Sequence, residues 1–339
     1  MSPATTPELA AILLYHRVGT ATADPWALAV SLEHFEEHMQ RLRRDFLPVR
    51  LEDLLDSEPG RDSGARRVAV TFDDGYAETM AFVRPILERL DIPATVFVPS
   101  GSITQVSEFW WDDLERMLLG PGHLPETLVL EYEGGCVDFT LGTCAVLTPS
   151  QVRATRPWCA WQEPPTRRHA LYATLWRICQ RSNAHDRARI IGEVRAWSGA
   201  DARARLTHRP LRSEELISLS RSDLMAIGGH TVSHPMLSAL NPVEQLYEIR
   251  TDKLSLEQLT GGRVNTFAYP FGKPTDYTEE TVTIVRDAGF TVACSNVRGA
   301  ASLVADRHQL PRLFVSDWNG SSFGDSVVDV LAAEGAALR

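Results

Sequence analysis

The sequence has few cysteines, and their arrangement does not favour a disulfide-stabilised fold. The number of cysteines is odd, and no two of them are spaced as Cys-x-x-Cys. They are Cys136, Cys144, Cys159, Cys179 and Cys294. Disulfide frameworks and thiolate zinc sites need paired, closely spaced cysteines. The sequence therefore predicts reduced and mostly buried thiols.

Long apolar stretches and an excess of positive charge are also absent. No apolar run approaches the length that spans a bilayer, and residues 1–9 do not have the pattern of a signal peptide. We therefore expect a cytoplasmic protein without a membrane span. The formal net charge of -10 disfavours a general affinity for nucleic acid, whose phosphates require clustered Lys and Arg. A small molecule or an oligosaccharide is the expected partner.

What the sequence does contain is the composition of an ordinary globular protein, with 44% hydrophobic and 23% charged residues. Apolar runs typical of buried strands alternate with helical patterns. The predicted strands are 10–15, 67–72, 94–98, 224–228, 265–269, 290–294 and 310–315, and the clearest predicted helices are 31–44, 76–90, 242–259 and 278–288. This alternation predicts an α/β fold with a mainly parallel sheet, and enough repeats of the unit can close into a barrel.

The alternation stops between residues 102 and 207. This stretch contains an aromatic and acidic opening, a possible hairpin near Gly134 and two Arg-rich helical patterns. We interpret it as an inserted, cap-like region, whose helices have apolar faces suited to packing over the mouth of a barrel. Residues 10–101 and 208–339 then form the barrel itself.

Two adjacent carboxylates, Asp73 and Asp74, follow directly on the predicted strand 67–72. The carboxyl ends of parallel strands are where barrel enzymes place their catalytic groups. Adjacent residues at a strand end point in different directions, so that one carboxylate can bind a metal while its neighbour acts as a base. The alternative is that Asp-Asp-Gly is only a turn.

Two histidines, His230 and His234, follow the predicted strand 224–228 at a spacing of four residues. This spacing lets both imidazoles converge on one ion. A pair of histidines alone is often incidental, but together with Asp74 it makes two His and one carboxylate, a set that leaves coordination positions open. The sequence therefore predicts a divalent metal site.

The segments Thr71–Gly75 (Thr-Phe-Asp-Asp-Gly) and His230–Pro235 (His-Thr-Val-Ser-His-Pro) resemble the first two motifs of the polysaccharide deacetylases, the NodB-homology group of carbohydrate esterase family four. The resemblance covers roughly residues 10–101 and 208–315. It implies a distorted barrel with fewer than eight strand-helix units. It also implies that Asp73 is the catalytic base and that Asp74, His230 and His234 bind the metal, usually Zn²⁺.

The third motif of the family is matched only in part, by Phe267–Gly272. Ala268 lies where many members have arginine, so the group that tunes the base must come from elsewhere; Arg312 is the candidate, and a plain surface arginine is the alternative. Tyr269 and Phe271 are assigned to substrate or oxyanion binding. The backbone amide of Phe271 is expected to bind the oxyanion, because that role requires no particular side chain.

The general acid of many family members is a C-terminal histidine in a Leu-x-x-His element, which has no good match here. The segment Leu13–His16 instead ends the first predicted strand. It resembles the permuted arrangement of poly-N-acetylglucosamine deacetylases, which implies that His16 protonates the leaving nitrogen. The alternative is a structural histidine.

These assignments predict hydrolysis of an N-acyl amide, most simply N-acetyl, on an amino sugar or a similar amine. Two alternatives remain open at this point. The first is a deformylase or a cyclic imide or ureide hydrolase on the same scaffold. The second is a carbohydrate-binding relic without activity, which would have lost a ligand or the base.

Overall fold

A computed structural model describes residues 9–56, 66–302 and 305–337. The chain forms two compact units. The barrel unit contains the described parts of Met1–Thr20, Ala29–Thr104 and Leu211–Arg339, and the inserted unit contains Ala21–Leu28 and Gln105–Pro210.

The elements of the barrel unit follow the alternation expected from the sequence. Its strands are β1 (Leu9–Tyr15), β2 (Arg17–Val18), β3 (Ala29–Val30), β4 (Leu47–Pro48), β5 (Arg67–Phe72), β6 (Ala94–Val98), β11 (Met225–Gly229), β12 (Thr266–Ala268), β13 (Val292–Cys294), β14 (Ala301–Ser302) and β15 (Leu313–Phe314). Its α-helices are α1 (Leu32–Asp45), α2 (Arg84–Leu90), α7 (Ser213–Ser220), α8 (Pro242–Thr260), α9 (Glu279–Asp287) and α10 (Gly320–Ala337). A π-helical turn, Thr79–Val83, precedes α2.

The main sheet of the barrel unit is almost entirely parallel. Its order is β13-β12-β11-β6-β5-β1-β14, with β4 added on β5 and β15 added on β1, and only the β1–β14 pair is antiparallel. A parallel bridge joins Cys294, at the end of β13, to Leu310, which lies just before β15. Because β15 pairs with β1, the pairings return to the first strand. The expected distorted α/β barrel is confirmed.

The central strands of the barrel are buried, whereas the short strand β4 is only half-buried. Every residue of β5 and β6 is buried, which matches the continuous apolar runs typical of parallel strands. Two of the surrounding helices begin at side-chain caps that the sequence provides: Ser31 for α1 and Asn241, in a capping box with Glu244, for α8. The parallel pairing of β1, β5, β6 and β11 brings the carboxyl ends of these strands to one side of the barrel.

The inserted unit has its own hydrophobic core. Its elements are α3 (Trp110–Leu119), β7 (Gly122–His123), β8 (Thr127–Tyr132), β9 (Gly135–Thr140), β10 (Val146–Leu147), α4 (Pro149–Thr155), α5 (Arg167–Arg181) and α6 (Ala184–Ser198). The strands β8 and β9 form the hairpin expected near Gly134. Helix α3 packs against both α5 and α6, and the shared core includes Leu118, Leu171 and Ile190. Residues 21–28 join this unit through Trp26, whose ring contacts that of Trp176 at a tilt of 33° with centroids 4.1 Å apart. Its indole N–H donates a hydrogen bond to the Tyr172 hydroxyl.

Within the part of the chain that the structure describes, no helix combines the length and the apolar character needed to cross a bilayer.

Candidate metal centre and catalytic residues

The ends of β1 and β5 bring the two carboxylates to the rim of the barrel. Tyr15 and Phe72 are register partners in the parallel pair, and the next amide, that of Asp73, donates to the Tyr15 carbonyl at 2.9 Å. Asp74 (φ 69°) and Gly75 (φ 67°) then turn the chain in the left-handed region. A Cβ at Gly75 would lie 3.0 Å from Val98 Cγ2, so the turn favours glycine on both grounds.

Asp74, His230 and His234 lie together in a buried cluster. Asp74 Oδ1 is 3.5 Å from His230 Nε2 and 3.3 Å from His234 Nε2. One possible ligand atom from each residue lies within 4.8 Å of the others. The structure thus brings together the three residues that the sequence assigns to the metal.

The donor set fits a divalent ion. Among the described residues, Asp74 Oδ1 is buried without a hydrogen-bond partner, although it faces two imidazole nitrogens. A buried carboxylate oxygen in that situation is costly unless a cation or a proton satisfies it. Two imidazoles and a carboxylate are a common catalytic zinc set. The ligand type alone does not distinguish zinc from other transition metals.

The His230–His234 segment is a tight loop with unusual backbone angles. Thr231 (φ 67°) and His234 (φ 53°) adopt left-handed conformations, and the Thr231 hydroxyl accepts a hydrogen bond from the His234 amide at 3.0 Å. The Nδ1 atom of His230 lies 2.7 Å from the Ala268 carbonyl oxygen. That contact favours the tautomer with a proton on Nδ1 and leaves Nε2 facing Asp74, an arrangement typical of metal-binding histidines.

Nearby charge affects the titration of these groups. Burial opposes ionisation of Asp74, but His230 and His234 lower its pKa below the ordinary value. Burial also opposes protonation of His230, yet the carboxylates of Asp74 and Asp73 raise its pKa above the ordinary 6.5. Without a cation, the cluster therefore tends to hold a proton that a metal would displace.

Asp73 is held by Arg312, the arginine that the sequence proposes as its partner. Arg312 Nη1 donates to Asp73 Oδ1 at 2.7 Å, and Nη2 donates to Oδ2 at 2.8 Å. Its Nε donates to the Ser295 carbonyl at 2.8 Å, and only 1% of the arginine is exposed. Arg312 is therefore not a plain surface residue. Burial raises the pKa of Asp73, but the guanidinium and nearby imidazoles outweigh that effect and hold it at about 2.

His16 lies directly after β1, on the same rim. Burial lowers its pKa, while the carboxylates of Asp74 and Asp73 act in the opposite direction, as expected for an imidazole close to both. Its ring centroid is 5.7 Å from that of Phe314. Its Nδ1 atom is buried and has no hydrogen-bond partner among the described residues. A structural histidine would normally have such a partner.

Tyr269 and Phe271 differ in their relation to the cluster. The Tyr269 hydroxyl donates to the His308 carbonyl at 2.8 Å, and its amide donates to the Cys294 carbonyl at 3.1 Å. Both hydrogen-bond donors of Tyr269 are thus engaged in the barrel wall, and its assignment to substrate or oxyanion binding stays a prediction. Phe271 has φ 60°, and its ring lies edge-on to His234, with centroids 4.8 Å apart.

Two further acidic residues, Glu248 and Asp252 on α8, contact the histidine loop. Asp252 accepts the His230 amide at 2.9 Å, and Glu248 accepts the Ser233 amide at 2.8 Å. Burial raises the pKa of Asp252 to about 8. Neither residue was predicted from the sequence. The available signal was that both occupy the face of α8 that also carries the buried Ile249 and Leu256.

Comparison with known proteins finds a matching family model and a curated relative. The polysaccharide deacetylase family model matches residues 60–124 and 167–293, more than half of the chain. The YxkH protein of Bacillus subtilis (strain 168), named after that family, is 28% identical over 118 residues. That match covers 34% of this chain and 41% of the relative, so the alignment spans less than half of the relative's length.

Solved structures show a similar fold at low sequence identity. The deacetylase PplD of Streptococcus pyogenes, in complex with acetate, superposes with a TM-score of 0.53 at 17% identity, covering 96% of this chain and 99% of that one. IcaB from Ammonifex degensii gives 0.55 at 17% identity, covering 94% and 97%. The polysaccharide deacetylase BC0361 of Bacillus cereus gives 0.55 at 14% identity, covering 95% and 69%. These likenesses concern the fold.

Proposed function

Because this chain belongs to the polysaccharide deacetylase family, we propose that it is a metal-dependent hydrolase that removes an acetyl group from the nitrogen of an amino sugar. The observation that carries the proposal is the adjacency of two differently held carboxylates at one strand end. Asp74 faces two imidazoles, while Asp73 is paired with Arg312. Neither a required ligand nor the base is missing, which argues against a binding relic without activity.

Asp74, His230 and His234 would hold the divalent ion, with Zn²⁺ as the expected metal. A bound ion would supply a Lewis acid that polarises the amide carbonyl and makes water more acidic. The three protein ligands leave coordination positions free for substrate and water. Metal binding would also satisfy the buried Asp74 oxygen.

Asp73 would accept a proton from the attacking water. A carboxylate with a pKa of about 2 is ionised at neutral pH and therefore available as an acceptor. The two hydrogen bonds from Arg312 occupy one edge of the carboxylate and fix its orientation. Arg312 is thus the positioning residue for the base. It takes the place of the arginine that many family members have at the position of Ala268.

His16 would deliver a proton to the departing nitrogen. An amine cannot leave as an anion, so amide hydrolysis needs an acid at this step. Burial favours the neutral imidazole, whereas the two nearby carboxylates favour the protonated form. The backbone amide of Phe271 is proposed to donate to the oxyanion formed during attack.

The substrate class is tested with a panel of N-acylated amines. The purified protein loaded with Zn²⁺ is incubated with N-acetyl and N-formyl amino sugars, as monosaccharides, nucleotide-linked sugars and oligosaccharides, and with a cyclic ureide. Products are identified by mass spectrometry, and Asp73→Asn serves as the matched control. The proposal is supported if the wild type releases acetate and Asp73→Asn does not. Turnover confined to N-formyl or cyclic substrates would replace it with the corresponding alternative.

A cytoplasmic location stays a prediction, and fractionation of cells that produce the protein tests it. If it holds, soluble amino-sugar intermediates would be more accessible substrates than a finished extracellular polymer.

A further inference from the structure

Glu248 and Asp252, hereafter the acidic pair, lie one helical turn apart on α8. Both accept hydrogen bonds from backbone amides of the loop that carries His230 and His234. Asp252 Oδ2 accepts the His230 amide at 2.9 Å. Glu248 Oε2 accepts the Ser233 amide at 2.8 Å, and Oε1 accepts the Ser233 hydroxyl at 2.7 Å. The acidic pair therefore contacts the backbone at both ends of the loop.

Asp252 also connects two strand ends. Its second oxygen, Oδ1, accepts the Ser100 amide at 2.9 Å, just after β6. The neighbouring strand β11 leads into His230, and Met225–Gly229 pairs in register with Ala94–Val98. Asp252 is fully buried, and a Cβ at Gly229 would lie only 2.8 Å from its Oδ2. The packing around this carboxylate is thus close enough to fix its position.

The loop needs such support because its own conformation is unfavourable. Thr231 and His234 are both in the left-handed region, which costs roughly 1 kcal/mol or more for each residue that is not glycine. A conformation of this kind persists only when the surrounding structure determines it. The Ala268 carbonyl lies within hydrogen-bond distance of the His230 imidazole at Nδ1, and Asp252 accepts a hydrogen bond from the His230 backbone amide.

We propose that the acidic pair positions His230 and His234 for metal binding, so that Asp252 and Glu248 set the metal affinity without touching the ion. This inference rests on the proposed function, because it assigns a role toward the same metal. Groups that orient metal ligands typically contribute 10- to 100-fold to metal affinity.

The two residues should respond differently to replacement by their amides. Each carboxylate oxygen of Asp252 accepts a hydrogen bond from one backbone N–H. Asparagine has a single side-chain oxygen, so one of these N–H groups would instead face the NH₂ group, which is also a donor. Glu248 accepts one N–H and one hydroxyl. Because a hydroxyl can also accept, glutamine can satisfy both partners.

The experiment measures the Zn²⁺ dissociation constant of the full chain by chelator competition. The variants are Asp252→Asn, Glu248→Gln and Glu248→Ala, and the matched control is Arg250→Gln, an exposed position on the same helix. The free energy of unfolding of each metal-free variant is measured in parallel, and binding is compared where circular dichroism shows the protein folded. We expect Asp252→Asn to weaken binding by about 10- to 100-fold. Glu248→Ala should also weaken it, while Glu248→Gln and the control stay near wild type.

A solely structural role would lower the free energy of unfolding and leave the Zn²⁺ affinity of the folded protein unchanged. Wild-type affinity in folded Asp252→Asn would therefore overturn this inference alone. Failure of the wild type to bind Zn²⁺ would overturn the proposed function and this inference together. A wild type that binds Zn²⁺ but hydrolyses no N-acyl substrate would remove the function and leave the positioning role to be decided by the affinities.

Discussion

Two neighbouring residues of the same type have different surroundings in this molecule. Asp73 receives two hydrogen bonds from a guanidinium, and Asp74 faces two imidazoles. The difference arises because consecutive residues at the end of β5 point to different sides of the strand, and because Asp74 has left-handed backbone angles. Separate roles for the two carboxylates follow from this geometry.

Replacement of Asp73 by asparagine should remove most activity and leave the metal in place. Asparagine is nearly isosteric but cannot accept the proton of the attacking water, so kcat should fall about 10²- to 10⁴-fold. The measurements are acetate release and zinc content of the same preparation. Turnover near the wild-type level would show that Asp73 is not the base, and loss of zinc would reverse the assignment of the two carboxylates.

Zinc affinity should weaken as the pH falls. His230 must be neutral to coordinate, and because its pKa in the metal-free protein is raised above 6.5, protons begin to compete at a higher pH than for an ordinary histidine. The dissociation constant should rise steadily as the pH is lowered from about 8 to about 6. A constant value across this range would mean that His230 is not a ligand.

His16→Ala should impair amide hydrolysis more than ester hydrolysis. A phenolate leaves with little help from an acid, whereas an amine does not leave unless it is protonated. The values of kcat/KM for an N-acetyl amide and an activated phenyl ester are compared in the variant and the wild type. Equal losses on both substrates would indicate a structural role for His16. Unchanged amide turnover would leave His308 or a residue of the inserted unit as the acid.

The sequence was informative about residues that end strands and less informative about those on helices. The metal cluster was predictable because its members directly follow apolar runs. Arg312 was predictable only as a substitute for the arginine missing at position 268. The acidic pair was not predicted. The sequence around an acidic residue on a buried helix face does not indicate which backbone amide will donate a hydrogen bond to it.

At the scale of elements, long buried strands were easier to predict than short ones. The predicted strands 67–72 and 94–98 match β5 and β6, since every residue there is buried. By contrast, 310–315 contains only the two-residue strand β15. Its sheet position depends on pairing with β1, a contact between distant parts of the chain that no local pattern encodes.

Helices that depart from regular amphipathic patterns were also harder to predict. The expected helix 76–90 is a π-helical turn followed by the short α2, a change in hydrogen-bond spacing that apolar periodicity does not resolve. Helix α10 was not predicted from a sequence rich in glycine and alanine. It packs against α1, where Phe323 stacks on His38 with ring centroids 4.3 Å apart.

Helix α5 carries a buried arginine that connects elements of the inserted unit. Arg168 donates to backbone carbonyls that follow α3 or lie near β7 and β10, including those of Gly120, Gly122 and Ala145. Arg168→Met would remove these hydrogen bonds and leave the Ala145 carbonyl with the bond from the Leu124 amide, at a cost of about 3 to 5 kcal/mol to the inserted unit. Hydrogen exchange at residues 118–122 should accelerate, whereas the exposed control Arg177→Met should not change it. Unaltered protection in Arg168→Met would contradict this account of the unit.

At the scale of the whole molecule, the chain is one barrel interrupted by a second unit with its own core. The sequence predicted an inserted region at 102–207, and the structure groups Gln105–Pro210 with Ala21–Leu28. Residues 21–28 belong to this unit through contacts such as that between the rings of Trp26 and Trp176. Such contacts join positions about 150 residues apart and leave no local signal.

The three proposed zinc ligands, Asp74, His230 and His234, all belong to the barrel unit, and we propose that they bind one divalent ion. The most direct test is elemental analysis of zinc per chain in the wild type and in His230→Ala, each purified, reconstituted with Zn²⁺ and freed of excess metal. We expect one equivalent in the wild type and a large loss in the variant. A full equivalent in His230→Ala, or a wild type that retains no metal, would contradict the account.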